Sequence, residues 1–334
     1  MRERIIYYDI LRGIAIIAVV LINTLNVEIN NMVSWTAVLI RQSINFAVPL
    51  FIALSGYFMA DKVFNSEFTH KMFLKKQILR VYLPYLIWSL PYIFLALYFK
   101  ADTILSSLFK LLTFQTSGIF YYVLLIIQCY IFLPLLKKMA NKKGLIIAVI
   151  LSFIICLVFF FLKLFTDIEI PLIIYAGNII TWLMFFVLGM YLKNNKIIIN
   201  IKTLVIMIIL SLLLELIETK IHFELLNNLE EAITAVKISS FIYSGLVIVL
   251  FLGEKRIEFK NFKFLGSLGQ VSYAIYLNHL LVMLFVNKMI NYFFIEPGLT
   301  SQLLVLFFTI LVSYLLCLMI RYMDRSKAHK YLGI

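Results

Sequence analysis

Residues 8–23, YDILRGIAIIAVVLIN, put an acid, an arginine and a carboxamide on one apolar segment. Asp9 and Arg12 are three apart and therefore neighbours on a helix surface, and the eleven steps from Arg12 to Asn23 return nearly to the same face. Asn23 then lies about 16 Å farther along the axis. An arginine on a spanning helix pairs, lines a wet cavity or snorkels to the interface, so Arg12 reads either as a binding residue or as an anchor. In KKQILR, Lys76 and Arg80 are four apart on one face. With Arg12 they would make a basic mouth for a phosphate-bearing ligand; the alternative is an orientation signal that also attracts anionic lipid. VSYAIYLNHLLVM places His279 about 12 Å along a helix from Val271, with Tyr276 on its face. A histidine at that depth serves as a general base or orienting group, or else bonds a neighbouring helix.

Other chemistries find no footing. His70, His222 and His329 fall in loops or the tail, without the spacing of a metal site, so no metal is expected. Neither a GxSxG elbow nor a glycine-rich phosphate loop occurs. Cys129, Cys156 and Cys317 stand singly in apolar runs and read as packing residues.

The elements that must position these groups are transmembrane helices. Of the 334 residues 63% are hydrophobic and 16% aromatic, with mean hydropathy +1.00, too apolar for a soluble domain. Apolar runs long enough to span recur at roughly 10–27, 43–60, 78–98, 119–136, 145–166, 172–192, 197–217, 232–252, 271–292 and 302–322. Uncharged stretches without period-two alternation favour helices over barrel strands, so the expected fold is all-α, with about ten transmembrane helices in a single domain over 1–334. The net charge of +13 sits in short loops, which points to orientation in a membrane rather than to nucleic acid. Basic residues gather at both ends and at every second connection: Arg2 and Arg4; Lys62, Lys71, Lys75 and Lys76; Lys137, Lys138, Lys142 and Lys143; Lys193, Lys196 and Lys202; Lys255, Arg256, Lys260 and Lys263; Arg321, Arg325, Lys327 and Lys330. Both termini are therefore expected in the cytoplasm. The first run has no small-residue cleavage site after it and reads as a retained span. Ile104 to Phe114 is too short to span and, with Lys110, reads as an amphipathic helix along the outer interface. Pro49, Pro84, Pro91 and Pro134 mark kinks or ordinary membrane packing.

The first segment, followed in order by FAVPLFIALSGYFM, LRVYLPYLIW, YYVLLIIQCYIFLPLL, FFVLGMYLKNN and LGQVSYAIYLNH, resembles the acyltransferase 3 family of bacterial integral-membrane acyltransferases over nearly the whole chain. The resemblance implies a multi-pass protein of the cell membrane, surrounded by lipid. It implies transfer of an acyl group, often acetyl, from a cytoplasmic acyl-CoA donor to a hydroxyl of an extracytoplasmic envelope glycan. The acyl-CoA is then a substrate, and no bound cofactor is implied. In the family pattern an arginine on the first helix is followed, after ten residues, by a histidine taken to be catalytic. Arg12 matches, and Asn23 stands at the histidine position. The family also carries two arginines three apart on the third helix; Arg80 matches the second, while Gln77 takes the place of the first, beside Lys76. A carboxamide does not accept a proton near neutral pH, so Asn23 would orient the acceptor or donate to an oxyanion, leaving His279 as the candidate base. These departures keep two further functions open: a glycan or acyl export component, and a catalytically inactive membrane sensor or assembly partner.

Overall fold

The computed structural model describes residues 6–29, 32–66, 68–166, 168, 170–253, 262–293, 298–323 and 328–334. Seven of the basic residues that indicate orientation, Arg2, Arg4, Lys255, Arg256, Lys260, Arg325 and Lys327, lie outside the described residues. The helices in chain order are α1 (Ile6–Thr24), α2 (Trp35–Ser43), α3 (Ala47–Met59), α4 (His70–Tyr98), α5 (Ile104–Leu112) and α6 (Tyr121–Ile131). Next come α7 (Leu133–Lys138), α8 (Lys142–Phe165), α9 (Leu172–Tyr175), α10 (Ile179–Asn194) and α11 (Ile201–Leu226). The rest are α12 (Leu229–Ala232), α13 (Ile238–Leu252), α14 (Lys263–Gln270), α15 (Ser272–Tyr292) and α16 (Leu299–Met323). A two-residue antiparallel pairing of Glu28–Ile29 with Met32–Val33 is the sheet content among the described residues.

The all-α expectation holds. Seven stretches of the described residues are long and apolar enough to cross a membrane: Ile6–Thr24, Trp35–Met59, His70–Tyr98, Lys142–Phe165, Leu172–Asn194, Ser272–Tyr292 and Leu299–Met323. Gly118–Ile131 and Ile238–Leu252 are apolar but shorter. α11 has the length, at 26 residues, but carries Glu215, Glu218 and Lys220.

Several apolar runs are interrupted where local chemistry requires it. Trp35–Met59 breaks between Ser43 and Ala47, and Pro49 falls in the first turn of α3, where its missing N–H costs no helical bond. The run over 119–136 breaks at Phe132, again just before a proline, Pro134. Asn178 divides 172–192 by capping α10, its side chain accepting from the Thr181 N–H. Pro84 and Pro91, by contrast, sit inside the continuous 29-residue α4. α5 forms as expected, its apolar Leu105 and Leu112 exposed. Lys110 donates to both carboxylate oxygens of Asp102 at 2.7 Å, and this bonding holds the Asp102 carboxyl below its usual range.

Two compact units alternate along the chain. The first comprises Met1–Asn26, Phe64–Ile131 and Phe262–Ile334; the second comprises Val27–Val63 and Phe132–Asn261. In the first unit α15 packs against α1, α4 and α16, and α14 lies on α1. Val282, Val286 and Ile290 of α15 form an apolar cluster with Val305 of α16. In the second unit α10 lies between α3 and α8, and α11 packs on α13, α12 and α2. Ser152 of α8 enters the α10 ladder, donating to Ile180 O at 3.0 Å and accepting from the Met184 N–H at 3.2 Å.

α11 is apolar outside and polar within. Its buried residues are Leu204, Ser211, Glu215, Thr219 and His222, whereas Leu210, Leu213, Leu214 and Ile217 are exposed. Glu215 is fully buried; its Oε1 accepts from Asn45 Nδ2 at 2.7 Å and from the Ser240 hydroxyl. Asn45 also donates to Gln42 Oε1 at 2.8 Å, and Lys237 donates to Thr219 Oγ1 and, at 3.1 Å, to Ala232 O. Without Glu215 the buried Asn45 and Ser240 lose their shared acceptor. Glu215→Ala is therefore expected to destabilise the protein by about 2–3 kcal/mol, and Glu215→Gln by less. Unfolding in detergent checks this, and an unchanged midpoint in Glu215→Ala would show that the network carries no stability.

Candidate functional site

The candidate site residues Arg12, Asn23, Lys76, Arg80 and His279 all lie in the first unit, on α1, α4 and α15. α15 is held there by tyrosine hydroxyls that donate to backbone carbonyls. Tyr273 donates to Val81 O at 2.7 Å and Tyr276 to Ile119 O, while Tyr92 of α4 donates to Leu277 O at 3.1 Å. Inside a membrane a carbonyl freed from its helix, or a phenol, has no water to turn to, so such bonds fix one helix on another. The Tyr122 and Tyr276 rings meet edge to face at 5.3 Å.

This anchoring sets the height of His279, which is fully buried. Its Nδ1 faces the carbonyls of Tyr276 at 2.8 Å and Ile275 at 3.1 Å, so that nitrogen carries the hydrogen. Nε2 lies 3.3 Å from Asn23 Nδ2. The same Asn23 nitrogen donates to Val19 O at 2.8 Å, which fixes the orientation of the amide: its N–H hydrogens point to Val19 O and to Nε2. His279 is therefore a neutral imidazole with its one lone pair directed at Asn23. Asn23 is only half-buried and forms the open side of the pair. A hydroxyl that replaced the long Asn23 contact would meet the imidazole lone pair and an amide donor together.

Arg12 lies at the other end of the same α1 stripe. Its Nη1 donates to Asp9 Oδ1 at 3.0 Å; Asp9 is 2% exposed and the arginine side chain 31%. Arg80 is exposed on α4. Both guanidiniums act electrostatically on the buried Tyr130 of α6. Lys76 is exposed one turn earlier on α4, and no described contact joins it to that group.

The two loop histidines whose side chains are described prove to be helical. His70 opens α4, bonds Tyr130 O at 3.0 Å and stacks on Phe73, because the Thr69 cap starts the helix eight residues before the apolar run. His222 lies on α11, 3.6 Å from Glu218 and stacked on Phe160, because the helix continues past its apolar portion to Leu226. No group of three His, Cys, Asp or Glu suited to a metal ion occurs among the described residues. All three cysteines are free and buried.

What the sequence left unseen is the packing of α14. A Cβ on Gly269 would lie 1.7 Å from the carbonyl oxygen of Asp9, and one on Gly13 would lie 2.2 Å from that of Leu265. The paired glycines of LGSLGQ were the available signal, but their partner helix is about 250 residues away in the chain.

No curated protein and no solved structure matches the chain. The family model described as "Acyltransferase domain" matches residues 5–318. That span takes in α1 with Arg12 and Asn23, α4 with Arg80, and α15 with His279, so the chain belongs to the acyltransferase 3 family.

Proposed function

We propose that this membrane acyltransferase takes an acyl group, acetyl in the simplest case, from a cytoplasmic acyl-CoA and places it on a hydroxyl of an envelope glycan outside the cell. The observation that carries this reading is the Asn23–His279 contact, which supplies a base where the family's first-helix histidine is missing. In this mechanism the acceptor hydroxyl displaces the Asn23 amide from Nε2 and gives its proton to His279. The acceptor oxygen bonds to the acyl carbon, the carbon–sulfur bond breaks, and the thiolate regains the proton from His279 and leaves as coenzyme A. The Asn23 amide, freed from Nε2, donates to the carbonyl oxygen as charge develops on it.

His279→Ala is expected to lower acyl transfer by about 100-fold with little change in donor binding. Asn23→His restores the family's residue and should preserve or raise turnover. Full turnover in folded His279→Ala excludes His279 as the base. Inactivity of both wild type and Asn23→His would instead favour export or sensing.

The donor's phosphates are assigned to Arg12 and Arg80, which match the family's arginine positions and both act electrostatically on Tyr130. Arg12→Ala and Arg80→Ala should each weaken coenzyme A binding, more at low salt than at high, because the contact is ionic. Unchanged affinity in both folded variants would make these residues membrane anchors.

The donor must be reached from the cytoplasm, and the pattern of basic loops supports cytoplasmic termini for a multi-pass protein of the cell membrane. A reporter fused after Ile334 should be active only in the cytoplasm, and a cysteine at Lys142 should resist labelling from outside. Extracellular labelling there would overturn the topology.

A further inference from the structure

We infer that Asp9 is a positioning residue for Arg12, holding the guanidinium in one orientation for the donor's phosphates. This rests on the assignment of Arg12 to donor binding. The Asp9 carboxylate is almost wholly buried and bonded to the half-exposed guanidinium at 3.0 Å. As a bare charge Arg12 would be better without it: an adjacent carboxylate cancels much of the potential that draws an anion. What the carboxylate supplies is geometry. A guanidinium recognises phosphate through a planar fork of donors, and a long side chain loses much rotamer freedom when that fork is fixed. Asp9 fixes it before the ligand arrives.

The turn of helix that carries Asp9 is braced by α14. The Gly269 Cα packs so closely on the Asp9 carbonyl oxygen that no Cβ fits, and Gly13, one residue past Arg12, makes the same kind of contact with Leu265 O. Two backbone-to-backbone contacts thus bracket residues 9–13, and the pair projects from a turn held on both sides of Arg12.

The two readings of Asp9 differ in the sign of one measurement. If it only dilutes the charge, Asp9→Asn tightens coenzyme A binding, most at low salt. If it positions Arg12, Asp9→Asn weakens binding by about tenfold, the worth of a charge-assisted hydrogen bond. The donor KM then rises while kcat stays near wild type. Asp9→Glu should recover most of the affinity, because it keeps the charge and the acceptor. In an Arg12→Ala background Asp9→Asn should have no further effect, since its action runs through the arginine. Coenzyme A binding to the purified full chain in detergent, with each variant's folding checked by size exclusion, tests these outcomes. Should Asp9→Asn misfold, Asp9→Glu against Arg12→Ala carries the comparison, and a folded Asp9→Glu as defective as Arg12→Ala overturns the inference. Tighter binding in Asp9→Asn, or losses that add in the double variant, overturn it too. If Arg12→Ala binds coenzyme A like wild type, the donor assignment falls and this inference with it; if Arg12→Ala is defective and Asp9→Asn is not, only the inference falls.

Discussion

Apolar helix faces gain little by meeting one another in lipid, so what holds this protein together is close backbone contact, and glycine makes that contact possible. In the second unit a Cβ on Gly189 would lie 1.9 Å from Ala53 O, and one on Gly56 would lie 2.1 Å from Phe186 O, so α3 and α10 touch along their backbones. In the first unit Gly13 and Gly269 do the same for α1 and α14. Dispersion and weak backbone contacts over such short separations replace the hydrophobic drive that water supplies to soluble bundles.

The second constraint is that no polar group inside can fall back on water. Each unit meets it differently. In the first, phenols reach across to carbonyls, and these bonds set α15 against α4 and Ile119. In the second, α11 turns Ser211, Glu215, Thr219 and His222 inward, where Asn45 and Ser240 meet Glu215 and Lys237 meets Thr219. A helix with a polar interior face is costly in lipid unless its partners are supplied from neighbouring segments, and here the turn between α2 and α3 and the start of α13 supply them.

These constraints leave the candidate site with two chemically distinct ends on one helix. The stripe of α1 that carries Arg12 at its beginning carries Asn23 at its end. The arginine is oriented by a buried acid, and the amide is oriented by Val19 O and His279. Charge is thus kept at the Arg12 end, while the other end holds a fully buried neutral imidazole and a half-buried neutral amide. The proposed transfer would use that division, with an anionic donor held at one end and a proton moved at the other.

Hydropathy and charge patterning alone determined that this is an all-helical membrane protein. α15 and α16 lie within a few residues of where apolar run length put them, and the motifs on α1, α4 and α15 already marked Arg12, Arg80, Asn23 and His279. The reason is physical: the bilayer imposes span length and composition on each helix separately, so those signals are local. Depth along α1 and α15 also put Asn23 and His279 at similar heights, but only the tertiary structure brought Asn23 Nδ2 within 3.3 Å of His279 Nε2. It alone revealed the brace of α14 on Asp9, the helical places of His70 and His222, and the partners of Glu215. Such contacts depend on the rotation of each helix about its axis and on which glycine meets which carbonyl, and these are settled by packing between segments far apart in the chain.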